Sequence, residues 1–94
     1  MYARAVRFTE VTPDRIEAIA ARVDEQGGPP PGVDSTGFKL LVDESQGTAI
    51  FVGFFETEEK MRAASEVLEQ MDPSETPGTR ASVDLCEVKV EAQA

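Results

Sequence analysis

Tyr2, Arg4, Glu56 and Cys86 are the side chains that could bring polar chemistry to strands or strand ends in this sequence. On a strand, Tyr2, Arg4, Val6 and Phe8 share one face, so Arg4 is the only charge on an otherwise apolar side. Such an arginine needs an acidic partner, a bound anion or an outlet to water, because burying an unpaired charge is costly. A guanidinium that snorkels out near the strand end is the more common outcome. The Tyr2 phenol could donate a hydrogen bond into a pocket, or its ring could cap the core. Glu56 stands where a strand hands over to a helix. It could act as a general base if burial raised its pKa, but favouring the positive helix end explains it equally well. Phe51, Phe54 and Phe55 could line an apolar pocket for a planar ligand, although strand phenylalanines more often pack in a core or an interface. Cys86, the only cysteine, reads as a small strand hydrophobe rather than a nucleophile.

The totals exclude several kinds of chemistry. There is no histidine, hence no imidazole base, no histidine-held haem and no ordinary zinc site. One cysteine allows neither an intrachain disulfide nor a cysteine pair for a metal, so no metal or cofactor is expected. Eighteen acidic against nine basic residues give a net charge of −9, a field that repels nucleic acid and anionic lipid alike. No stretch nears the apolar length of a membrane span, so a cytoplasmic protein without membrane or nucleic-acid partners is the expectation. Ninety-four residues imply one domain, 1–94, with a core thin enough to gain from association.

The elements that must position these residues follow from periodicity. Residues 2–10 alternate as a strand. Thr12–Pro13 then starts a helix as N-cap and first-turn proline, with Ile16, Ile19, Ala20 and Val23 on one stripe and Gly27–Gly28 as its stop. A proline-rich stretch, 27–37, reads as a stiff strap across the sheet in preference to a lid, because it carries one charge and no aromatic. Residues 38–43 and TAIFVGFFE form a hairpin around Gly47. Thr57 caps a second helix whose stripe is Met61, Ala64, Leu68 and Met71, supported by Val67, with a Glu58–Arg62 pair and an Asp72–Pro73 stop. ASVDLCEVKVE, 81–91, is the last strand. The order β-α-β-β-α-β predicts an α+β, ferredoxin-like domain, its four-stranded antiparallel sheet covered by both helices on one face.

The other face should then be polar, yet the third strand is apolar on both sides. Ile50, Val52 and Phe54 take one parity, Ala49, Phe51, Gly53 and Phe55 the other. In the last strand Val83 and Leu85 oppose Cys86, Val88 and Val90, which a bulge near 85–86 or a second subunit at the strand end would explain. A second copy laid sheet to sheet, giving a dimeric α+β barrel, accounts for the pattern without a large exposed apolar patch. Phe51, Phe55, Val88 and Val90 are the expected dimer contacts, and Gly53 a gap for the facing sheet or a neighbouring side chain. Tyr2, Arg4, Phe54 and Glu56 are the candidates for a ligand pocket.

MYARAVRF, LLVDESQGTAIFVGFFETEEKMRAASE and SVDLCEVKVE together resemble small antibiotic-biosynthesis-monooxygenase-like proteins of the dimeric α+β barrel superfamily. The likeness spans nearly the whole chain apart from the strap. It implies a homodimer. It also implies a cofactor-independent monooxygenase for an aromatic or quinol-type substrate as one possible activity, with Arg4 and Tyr2 orienting the substrate. The wider expectation is a small homodimeric barrel protein whose cavity takes a small hydrophobic molecule. The remaining alternative is a dimerisation or scaffolding module without catalysis.

Overall fold

The structure, a computed structural model, describes residues 1–27, 32–70 and 76–92. Its elements are β1 (Tyr2–Thr9), α1 (Pro13–Gln26), β2 (Gly37–Asp43), β3 (Thr48–Phe55), α2 (Glu58–Glu69) and β4 (Thr79–Glu87). The strands form one sheet in the order β2-β3-β1-β4, every neighbour antiparallel. β1 and β2 therefore run parallel, as do β3 and β4, and a helix makes each crossover. The two crossovers travel in opposite directions from antiparallel strands, so right-handed connections place both helices on the same face. This is the ferredoxin-like arrangement.

Local chemistry sets the ends of the elements. The Thr12 and Thr57 hydroxyls accept from the backbone N–H of Arg15 (3.4 Å) and Lys60 (3.1 Å), capping α1 and α2. Gly27 closes α1 in the left-handed region at φ 67°, its N–H donating to the Val23 carbonyl. Gly47 takes φ 65° in the β2–β3 hairpin, where Asp43 accepts from the Ser45 hydroxyl and the Gln46 N–H. Glu58 and Arg62 pair at 2.9 Å along α2.

Arg4 reaches Ser65 and Glu69 of α2, which identifies the helix-covered face. Residues directly opposed in an antiparallel ladder share a face, and parity alternates along each strand. The helix face therefore carries Tyr2, Arg4, Val6 and Phe8 of β1, with Ala49, Phe51, Gly53 and Phe55 opposite them on β3. Phe38, Leu40 and Val42 of β2 and Val83 and Leu85 of β4 complete its apolar part, with Arg80 and Glu87 at the two ends of β4 on the same side. Its centre is the cluster Phe55, Met61 and Ala64, against which Tyr2 and Val33 pack. Phe55 is 1 % exposed, and burying a ring to that degree stabilises the fold by about 2–3 kcal/mol.

Several expectations are corrected here. Phe51 and Phe55 do not face outward for a partner: Phe55 is central core, and Phe51 stacks on Phe38 at 5.3 Å between ring centroids. The side of β3 away from the helices is Ile50, Val52 and Phe54. The bulge lies at Ala81, not at 85–86: Phe8 pairs with Arg80 and Arg7 with Ser82, leaving Ala81 as the extra residue. β4 ends at Glu87. Val88 makes one further backbone bond, to the Met1 carbonyl, and Val90 lies beyond the ladder, 86 % exposed. In α1, Ile16, Ile19 and Val23 are half-buried but Ala20 is exposed, so the stripe is narrower than its spacing suggested. In α2, Met61 and Ala64 are buried, Leu68 is half-buried and Val67 sits at the exposed edge.

The strap's residues 28–31, and Met71 with the Asp72–Pro73 stop, lie outside the described residues. From Gly32 onward the strap follows α2. A Cβ on Gly32 would touch Val67, Val33 joins the core, and Asp34 pairs with Lys60 at 3.2 Å. The Thr36 N–H donates to the Phe54 carbonyl at 2.8 Å, fastening the strap to the end of β3.

Candidate functional site

Met61, Ser65 and Glu69 follow one another at i, i+4 and i+8, a row that runs down α2 towards β1 and β4. Met61 fills the core. One and two turns later the same row meets Arg4 and turns polar. The Arg4 Nε donates to the Ser65 hydroxyl at 3.1 Å, and its Nη2 lies 3.4 Å from Glu69 Oε1. The Ala81 bulge brings Arg80 onto this side of β4, where it donates to the other carboxylate oxygen, Oε2. Glu69 thus joins two guanidinium groups, one deeply buried (Arg4, 6 % exposed) and one at the surface.

The electrostatics follow from this placement. Burial pushes the Arg4 guanidinium down from its usual range, and Glu69 opposes that shift. The hydrogen bond from Arg80, followed by the charges of Arg80 and Arg4, holds the Glu69 carboxyl below the ordinary range. A carboxylate held ionised with both oxygens engaged makes a poor general base. What the cluster does is clamp the C-terminal turn of α2 onto β1 and β4. No buried side-chain nitrogen or oxygen among the described residues lacks a partner.

The four pocket candidates do not converge. Tyr2 and Arg4 lie side by side on the helix face, Tyr2 against the core cluster and Arg4 in the clamp. Phe54 is on the opposite face of the sheet, and Glu56 is exposed in the β3–α2 turn, 3.9 Å from Lys60 Nζ. Arg4 has the acidic partner that its burial demanded. Sequence reasoning missed Ser65, Glu69 and Arg80 as that partner set. The row from Met61 was a usable signal for the first two. Nothing in the sequence marked the bulge that delivers Arg80.

The helix-free face is the other candidate surface. Cross-strand register arranges it in rows: Gly37–Phe54–Ala3–Cys86, then Lys39–Val52–Ala5–Asp84, then Leu41–Ile50–Arg7–Ser82. Leu41 is 52 % exposed, Ile50, Val52 and Phe54 are half-buried, and Cys86 is exposed. Among the described residues no group of histidine, cysteine or carboxylate side chains could hold a metal, and no helix is long and apolar enough to cross a membrane. No protein-family model matches the sequence, and no curated protein matches it.

Proposed function

We propose that this chain is a homodimerising module of the dimeric α+β barrel type, in which a second copy covers the helix-free face and assembly is the function. The observation that carries this reading is the apolar centre of that face, Leu41, Ile50, Val52, Phe54, Ala3 and Ala5, on a sheet whose other side already holds the core. A sheet exposed on one side ordinarily alternates to polar residues there. The resemblance to small monooxygenase-like barrel proteins points the same way. Its catalytic branch gains no support from the geometry, because the Arg4 Nε and Nη2 donors go to Ser65 and Glu69 instead of standing ready for a substrate anion.

Cys86 gives a direct test, being the only thiol and lying on the face in question. Its labelling rate with a thiol reagent should fall as the protein is concentrated over roughly a hundredfold range, because mass action fills the dimer. A rate independent of protein concentration, at the value found for the unfolded chain, contradicts the reading.

A further inference from the structure

Lys39 and Asp84 stand in one row of the helix-free face, at its two opposite edges. Both are exposed, and neither side chain has an ion-pair or hydrogen-bond partner among the described residues. Between them lie Val52 and Ala5. With strands about 4.8 Å apart, three spacings hold the two charges about 14 Å apart, beyond each other's reach within one chain.

Two copies packed face to face can share a two-fold axis only if it lies in the plane between the sheets. An axis along the strands keeps each row at its height and exchanges the edges, setting β2 over the partner's β4 and β3 over its β1. An axis across the strands sets β2 over β2 and β4 over β4. Under that second axis Lys39 meets its own copy or another β2 residue, of which only Asp43, already held by Ser45 and Gln46, is acidic, and Asp84 meets a β4 face that carries no cation.

We propose that the second copy docks with its two-fold axis along the strands, so that Lys39 of each subunit pairs with Asp84 of the other. The proposal rests on the dimer reading above and specifies its geometry. Sizes agree with it independently of charge. The same operation lays Phe54 over Ala3 of the partner subunit and Val52 over Ala5 of the partner subunit, a large side chain onto a small one in both rows. One row further, Ile50 meets the stem of Arg7, whose aliphatic part covers apolar surface while its head reaches the rim. Facing sheets sit about 10 Å apart, a gap that an extended lysine and an aspartate span together. An isologous interface requires such a self-complementary patch: apolar in the middle, with a cation at one edge and an anion at the other.

Charge reversal tests the axis. Lys39→Asp and Asp84→Lys should each weaken self-association by about tenfold or more, and the double reversal should restore it to within about threefold. Asp84→Lys is the sharper arm. It moves the net charge from −9 to −7, since a −1 becomes a +1, so bulk repulsion alone would tighten the dimer where the ion pair predicts loosening. Sedimentation velocity on the full chain over a dilution series reads both effects, alongside Phe54→Glu and the surface variant Leu41→Glu as tests of the face itself. A wild-type dimer that either face variant breaks, but single reversals leave unchanged, overturns the axis and keeps the dimer. A monomeric wild type, or a dimer that survives both face variants, overturns both.

Discussion

Taking a guanidinium out of water costs several kcal/mol unless charge and hydrogen bonds compensate it, and Arg4 shows how this chain meets that cost. Ser65 and Glu69 hold it, while Glu69 stays partly in solvent and is shared with Arg80. Removing the carboxylate should therefore hurt more than removing the arginine. Glu69→Gln leaves Arg4 buried with a neutral partner and should cost about 1–2 kcal/mol. Arg4→Met fills the same space without a charge and should stay within about 1 kcal/mol of wild type in urea melts. The pH dependence has a definite sign. The folded pKa of Glu69 is depressed, so its contribution is present above the ordinary carboxylate value and disappears as pH falls through the folded one. The stability gap between wild type and Glu69→Gln should accordingly close on acidification below about pH 4. Gly53 belongs to this scale too. A Cβ there would lie 3.3–3.4 Å from the Phe55 ring, so the gap serves the neighbouring side chain within the core. Truncating that ring, Phe55→Ala, should cost about 3–5 kcal/mol by denaturant unfolding.

Caps and turn residues announce the elements clearly. Thr12, Pro13, Gly27, Gly47 and Thr57 carry side-chain or backbone requirements that act within a few residues, and each does in the fold what its type implies. Thr57→Ala should cost about 1 kcal/mol, seen as a lower midpoint with an unchanged denaturant slope. Gly78 was not legible in this way. Its need for no side chain is tertiary, because a Cβ would run into the Thr9 backbone carbonyl where β4 meets β1. Gly78→Ala should destabilise by about 1–3 kcal/mol or more. The faces were legible only as two sets. Alternation separates Ile50, Val52 and Phe54 from Phe51 and Phe55, but both sets are apolar, and only packing against α2 decides which is inside. The Arg4 parity marks one face of β1 but not the pairing that carries that face to β3. Arg4 shares a face with Tyr2, Val6 and Phe8, and register then places Phe55 across from Tyr2. The Ala81 bulge has no local signature, and the Arg80 half of the clamp was hidden with it.

A 94-residue chain that buries one face of its sheet under two helices has a thin core, and a second apolar face is a strong reason to associate. The acidic excess opposes that association at long range. A self-complementary centre and edges are therefore what a second copy would need to offset it. The Arg4 clamp and the core cluster lie on the other side of the sheet, so a copy docked on the free face would leave their contacts in place. The most direct test of the central claim is sedimentation equilibrium on wild type and Phe54→Glu, with circular dichroism to verify that both are folded. The expected result is a wild-type mass twice that of the 10.2 kDa chain and a folded Phe54→Glu at the mass of one chain. A folded wild type that stays at the single-chain mass at the highest concentrations would contradict it.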